Sequence, residues 1–308
     1  MIYRMSFFYV KGNLFDIFRI SRFQSQALSI VAFIGLMVMV GCATNQAVRL
    51  PAVGSNPNGD VYVGKFVWID LLTEDVSAAS KFYNDLFGWR AEISKMNKDY
   101  NVFLKGDKLI GGMIATENQN KEAPESIWLV SLSVDNVDRA ASLISERGGK
   151  ILDGPLDADG RGRMALVSDP AGASLILLRA TGGDPADKKA GTDEWFWTDL
   201  FTKNAKNAGD FYSSLAGYQV ERVEVKEDHQ YDVLKRDGHL RAGIVELPWK
   251  GLEDNWLPYF KVDDVDRTVE RARQLGGRLI LKSENVAILS DPTGAVFGIQ
   301  MIPQRRSK

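Results

Sequence analysis

Two residue pairs in this chain set an aromatic surface beside a carboxylate: Trp68-x-Asp70 and Trp197-x-Asp199. Side chains two apart on a strand point the same way. A carboxylate beside an indole in a partly apolar cavity needs a partner or a ligand. It can accept a hydrogen bond from a molecule stacked on the ring, or act as a general base. The same acids can equally lock loops or backbone amides, and the tryptophans can be plugs that fill space. Tyr259 and Lys261 also share a strand face, with Gln300 on the last strand of the same half. Lys261 is placed to pair with Asp199, to meet an anionic ligand, or simply to be solvated at a rim. Other catalytic material is scarce. There is one cysteine, Cys42, and there are two histidines, His229 and His239, of which His239 follows Gly238 in an expected hairpin turn. No Ser/His/Asp set, phosphate-binding glycine loop or Cys/His cluster is visible.

The Trp-x-Asp pairs belong to a long internal repeat. Trp68-x-Asp70-Leu71, Phe82-Tyr83 and Leu86-x-Gly88-Trp89 return as Trp197-x-Asp199-Leu200, Phe211-Tyr212 and Leu215-x-Gly217-Tyr218, at a constant offset of 129. Gly148-Gly149 returns at offset 128, and Ser168-Asp169-Pro170-x-Gly172-Ala173 at offset 122. A repeat of this length is a duplicated domain, which suits a chain of 308 residues. Within each half the patterning predicts a strand, a helix and three strands, twice over. In the first half a strand over Lys65–Leu72 precedes a helix over Val76–Leu86, capped by Asp75 and stopped by Gly88. Strands then follow near Arg90–Ser94, Tyr100–Lys105 and Leu109–Ala115. The second unit has a strand at Ile127–Val134 and a helix at Val137–Arg147. Its closing strands lie near Lys150–Leu152, Arg163–Ser168 and Ser174–Arg179. Residues 182–191 read as a polar Gly/Pro linker.

The first 41 residues read as an export signal outside the fold. Four basic residues against one acid precede an uncharged stretch from Ala27 to Val40. That stretch is shorter than the roughly 20 residues a membrane-spanning helix needs and suits the apolar region of a secretory signal. It ends in Met39-Val40-Gly41-Cys42, which resembles a bacterial lipobox, with Cys42 as the lipidated first residue of the mature chain. Ala43, where an Asp would retain a lipoprotein at the inner membrane, resembles lipoproteins sent on to the outer membrane. The expected location is therefore the cell envelope, lipid-anchored and facing the periplasm. Residues 42–60 read as a flexible tether. The net charge of −2 falls to −5 once residues 1–41 are gone, and the only basic cluster is the short C-terminal tail. Nucleic acid is therefore not an expected partner.

The order of these motifs, doubled, resembles the vicinal oxygen chelate superfamily, which includes glyoxalase I, bleomycin-resistance proteins and extradiol dioxygenases. The residues that carry the resemblance are Asp75, Phe82-Tyr83, Leu86-Phe87-Gly88-Trp89 and Asp169-Pro170-Ala171-Gly172, then Phe211-Tyr212, Ala216-Gly217-Tyr218 and Asp291-Pro292-Thr293-Gly294. It implies an α+β fold of two tandem domains, over 61–181 and 192–303. Each would be made of paired βαβββ modules whose curved mixed sheet forms a cup, with helices on the convex side. It also implies where relatives hold a metal: on the first strand of each module and on the last. Those positions are Trp68, Leu129 and Ile176 in the first domain and Trp197, Leu257 and Gly298 in the second. Glu246 is a possible occupant of the remaining position, where the first domain has Ala115. Trp, Leu, Ile and Gly side chains do not ligate a divalent metal, so no cofactor is expected. The resulting expectation is a lipid-anchored protein that binds a small apolar or aromatic molecule. Trp68, Asp70, Trp197, Asp199, Tyr259, Lys261 and Gln300 are the candidate ligand-binding residues. Two alternatives stand beside it: a metal-dependent lyase, isomerase or dioxygenase, and a scaffold lipoprotein whose cups are filled by its own side chains and whose surface binds a partner protein.

Overall fold

A computed structural model describes residues 48–302 apart from 55, 57, 117–125, 225–229 and 248–252. The signal, Cys42 and His229 lie outside the described residues. Among these residues, no helix is long and apolar enough to cross a membrane.

The first domain runs β1 (Phe66–Thr73), α1 (Val76–Phe87), β2 (Arg90–Ile93), β3 (Tyr100–Lys105), β4 (Lys108–Ala115), β5 (Ile127–Ser133), α2 (Val137–Glu146), β6 (Lys150–Ala158), β7 (Gly162–Ser168) and β8 (Ser174–Ala180). The second repeats it with β9 (Trp195–Thr202), α3 (Ala205–Ala216), β10 (Gln219–Glu224), β11 (Gln230–Arg236), β12 (His239–Glu246), β13 (Asn255–Val262), α4 (Val265–Gln274), β14 (Arg278–Lys282), β15 (Val286–Ser290) and β16 (Val296–Met301). Helix starts follow from capping: Asp75 Oδ1 accepts from the Ala78 amide at 2.8 Å, and Asn136, Asn204 and Asp264 do the same for the other three helices. α1 and α3 end on Gly88 and Gly217 in the left-handed conformation, which costs glycine little.

Each domain folds as one eight-stranded mixed sheet, in the orders β2-β3-β4-β1-β5-β8-β7-β6 and β10-β11-β12-β9-β13-β16-β15-β14. The two modules of a domain meet along antiparallel β1–β5 or β9–β13, and each module closes with a parallel pair. The convex faces and their helices turn toward each other and share one core. Phe66 packs on Trp256 with ring centroids 4.7 Å apart, Trp89 on Phe260 at 4.9 Å and Tyr83 on Phe297 at 5.7 Å. The concave faces carry separate, smaller clusters, one per domain.

Two sequence expectations need revision. β6 does not stop near Leu152 but continues to Ala158, so the β6–β7 hairpin is longer than its β14–β15 counterpart. The segment read as a flexible tether is docked over its final part. Leu50 and Val53 are buried in the first domain's concave cluster, and Arg49 bridges Asp159 at the hairpin tip. The linker is also held: Asp184 is buried and its Oδ2 accepts from the Ser133 hydroxyl and the Tyr62 amide, both at 2.6 Å.

Candidate functional site

Both cups are floored by the same hydrogen-bonded unit of tryptophan, aspartate, tyrosine and glycine. In the first domain Trp68 Nε1 donates to Asp70 Oδ1 and to the Tyr100 hydroxyl, each at 3.0 Å, and Tyr100 donates to Asp70 Oδ1 at 2.5 Å. In the second, Trp197 Nε1 donates to Asp199 Oδ1 at 2.8 Å and to the Tyr231 hydroxyl at 3.0 Å, and Tyr231 donates to Asp199 Oδ1 at 2.7 Å. The strands place these groups. A register shift after Phe66 in β1, and the matching shift at Trp195–Trp197 in β9, turn each Trp into its cup. Gly112 and Gly243 sit in register with Asp70 and Asp199. A Cβ at Gly112 would lie 1.7 Å from the Tyr100 hydroxyl, and one at Gly243 would lie 1.9 Å from that of Tyr231. Bare backbone is therefore a condition of the unit. The acids lock side chains rather than the loops or backbone amides considered from sequence, with Tyr100 and Tyr231 as their partners.

Above this floor the cups differ. In the first domain the turn of the long β6–β7 hairpin sends in Arg161, which is fully buried. Its guanidinium donates to Asp70 Oδ2 at 3.2 Å, to the Tyr100 hydroxyl at 2.8 Å and to the Pro51 carbonyl at 2.9 Å. It also lies over the Trp68 and Tyr100 rings, 5.1 Å from each centroid. Burial works against its charge, but the neighbouring Tyr100 and Asp70 outweigh it and Arg161 stays ionised. Leu50, Val53, Met164, Leu166, Ile176 and Leu178 fill the space around it. Sequence reasoning missed Arg161, Leu50 and Val53. The signal for the first was the fall in repeat offset from 128 to 122 across that hairpin, which marks extra chain in the first domain.

Among the described residues the second cup has no such arginine. The shorter β14–β15 turn carries Ser283 at the matching place. Trp197 is only partly buried where Trp68 is 2% exposed, and Phe196, Phe201 and Val296 are likewise partly open around a small cluster of Leu257, Tyr259 and Ile288. Tyr259 lies flat across Gly298, where a Cβ would meet its ring at 2.3 Å. The first domain has the opposite pairing in the same register, small Ser131 beside large Ile176. The Tyr259 hydroxyl is buried and faces Asp199, whose carboxylate it helps to stabilise. Burial raises the Asp199 carboxyl from its ordinary 3.8 to about 6, against the lowering effect of Tyr231, Trp197 and Tyr259. Gln300 is buried beside Lys261 in register. Lys261 does not pair with Asp199. Its ammonium reaches back to the Ala190 carbonyl at 3.3 Å, because the linker passes that end of β13. His239 is exposed at its hairpin, near Asp187.

The family's metal positions can now be tested on their donor chemistry. Trp68 and Trp197 use their only nitrogen as a donor to Asp, and Leu129, Ile176, Leu257 and Gly298 offer no lone pair. Glu246 is exposed and lies in register with Thr202, three residues past cup-facing Gly243 and so on the opposite face of its strand. Among the described residues no group of three or more His, Cys, Asp or Glu side chains is gathered to hold an ion. The residues present do not fit a divalent metal at these positions.

Comparison with known proteins matches this architecture. Residues 65–177 fit the family described as the Glyoxalase/Bleomycin resistance protein/Dioxygenase superfamily, and residues 195–300 fit a Glyoxalase-like domain. A Mycobacterium tuberculosis protein named "Putative glyoxylase CFP32" is 32% identical over 241 residues, 75% of this chain and 92% of its own length. The chain belongs to the glyoxalase/bleomycin resistance protein/dioxygenase superfamily. The anthracycline biosynthesis protein DnrV of Streptomyces peucetius is 29% identical over 259 residues, covering 77% of this chain and 92% of that one. Among solved structures, the Mn(II)-bound glyoxalase of Novosphingobium aromaticivorans superposes with a TM-score of 0.55 at 16% identity, covering 79% of this chain and 83% of that one. The 2,3-dioxygenase LapB of Pseudomonas sp. KL28 gives 0.52 at 14%, covering 80% and 96%. These superfamily structures share the fold.

Proposed function

We propose that this is an exported, lipid-anchored member of the superfamily that binds a small apolar or aromatic molecule in the cup of its second domain, without a metal at the family's ligand positions. The observation that carries the reading is the contrast between the cups. The first is filled by Arg161, Leu50 and Val53. The second leaves Trp197, Phe201 and Val296 partly open beside Asp199, whose carboxyl burial raises to about 6. Apolar and aromatic side chains left partly open around one buried carboxyl are the make-up of a small-molecule site. The relative named for anthracycline biosynthesis supports an aromatic molecule. Attachment through Cys42 and residence in the cell envelope rest on the N-terminal sequence. The test is native mass spectrometry of the full-length protein extracted gently from its own membrane. A diacylated N-terminal cysteine and a small organic adduct that disappears in Trp197→Ala are expected. An unmodified Cys42, or an adduct indifferent to Trp197, would remove the corresponding half of the proposal.

The name of the mycobacterial relative raises a second reading, a metal-dependent lyase of the glyoxalase type. Elemental analysis of the same preparation decides it: stoichiometric Zn, Ni, Mn or Fe would replace the metal-free reading.

A further inference from the structure

The first domain shows what the shared floor unit holds when it is occupied. There, the Trp–Asp–Tyr group grips a planar cation, the Arg161 guanidinium, between an acceptor oxygen and two aromatic faces. The second domain builds the same unit from Trp197, Asp199 and Tyr231 at matching distances. Its Asp199 Oδ1 is taken by Trp197 and Tyr231, as Asp70 Oδ1 is by Trp68 and Tyr100. Asp70 Oδ2 accepts from the charged Arg161, whereas the further side chain that stabilises the Asp199 carboxylate, among the described residues, is the neutral Tyr259 hydroxyl. Among the described residues no Lys, Arg or His nitrogen forms an ion pair with Asp199, and Lys261 is turned to Ala190. The groups facing Asp199 are Tyr231 from β11, Tyr259 from β13 and Trp197 from its own strand, all uncharged.

From this internal comparison we infer that the second cup takes a small organic ligand bearing a planar cationic group, an amidinium, guanidinium or protonated aromatic nitrogen, with an apolar or aromatic body. The inference rests on the binding role proposed for this cup and adds the charge of its ligand. The cation would donate to Asp199 Oδ2, as Arg161 does to Asp70. Its plane would lie against Trp197, as the guanidinium lies against Trp68, a geometry that favours delocalised cations. The buried Tyr259 hydroxyl, carried further from its strand than the hydroxyl of Ser131 at the matching position, supplies an acceptor in place of the Pro51 carbonyl that Arg161 uses. The apolar body would meet Phe201, Leu257 and Ile288.

The test uses the full chain and three nearly isosteric probes, benzamidinium, benzamide and benzoate, followed by quenching of tryptophan fluorescence and by calorimetry. Benzamidinium is expected to bind at least ten-fold more tightly than benzamide, with benzoate weakest. The preference is expected to vanish in Asp199→Asn. Wild-type protein supplies a second readout that does not depend on that variant folding. Benzamidinium affinity is expected to fall as pH drops from 7 to 5 while benzamide affinity stays level, because only the carboxylate form of Asp199 pairs with the cation. Equal binding of benzamide and benzamidinium would overturn the cationic assignment and leave the aromatic-binding role standing. Binding of none of the three at millimolar concentration would overturn both.

Discussion

Asp199 is the residue on which the second cup turns, and its cost to the fold is measurable. An acid whose carboxyl rises on folding binds a proton more readily in the native state than in the unfolded chain. Stability then falls as pH rises between the two values. For Asp199 the window runs from about 3.8 to about 6, with burial as the main cause. Asp169 has the same direction and window, also chiefly from burial. Each buried carboxyl contributes a loss on the order of 2–3 kcal/mol across that window, at roughly 1.4 kcal/mol per unit. Asp199→Asn keeps the shape and removes the titration. Its urea midpoint is expected to fall less between pH 4 and pH 6.5 than that of the wild type, leaving the shares of Asp169 and Asp291, whose carboxyl burial also raises. At pH 7 the variant is expected to be at least as stable as the wild type. A wild-type profile flat between pH 4 and 6.5 would contradict the burial of these acids. Asp70 is a different case, since Arg161 pairs with it. Arg161→Met, which leaves Asp70 buried and unpaired, is expected to cost about 3–5 kcal/mol at pH 7.

At the scale of strands, the glycines beneath the floor units are the sharpest test. Gly243→Ala would drive a methyl into the Tyr231 hydroxyl and Asp199 Oδ1, 1.9 and 2.2 Å away. Overpacking of this kind costs about 1–3 kcal/mol, and more where backbone must move. The expected result is a loss at or above the top of that range, together with a change in Trp197 fluorescence as its hydrogen bonds to Asp199 and Tyr231 break. The same elements show what sequence could and could not tell. The succession of strands and helices, the helix cap at Asp75, and the pairing of Trp with Asp on one face follow from periodicity, capping residues and the repeat. Arg161 was illegible because the patterning ends the strand near Leu152, whereas β6 carries on to Ala158, and the extra chain marked by the shift in repeat offset had no assigned place. Leu50 and Val53 were illegible because a Pro/Gly-rich stretch without periodicity looks like tether. Only the apolar cup it meets gives those two side chains a place. The direction of Lys261 was also hidden, since its partner is a linker carbonyl with no sequence signature.

At the scale of the molecule, the two domains are joined through the faces that the family's modular repeat leaves convex. Tyr212 in α3 donates to Asp169 Oδ2 across the boundary at 3.0 Å while accepting from Trp256 Nε1 at 2.9 Å. The pseudo-symmetric counterpart has Tyr83 accepting from Trp128 Nε1 at 2.9 Å and facing Asp291. Trp89 Nε1 donates to the Asp193 carbonyl at 2.7 Å, and Tyr218 donates to the Gly64 carbonyl. Each domain's helix therefore reads the Asp-Pro-x-Gly turn of the other, and those turns serve the joint as well as their own hairpins. Separation would expose Phe66, Phe82, Phe87 and Trp89 in the first domain, all buried in the common core, and an apolar face of that size promotes association. The full chain from residue 48 is accordingly expected to unfold in one transition, with near-ultraviolet circular dichroism and far-ultraviolet signals coincident. Tyr212→Phe leaves Asp169 and the Trp256 indole without their shared partner and is expected to cost about 1–3 kcal/mol. The decisive feature is how that loss appears. If the domains are one cooperative unit, the variant shifts the single transition as a whole, including the signal of tryptophans in the first domain. Two transitions, with only the second domain's moved, would mean that the cups can open and close independently and that the shared core does not couple them.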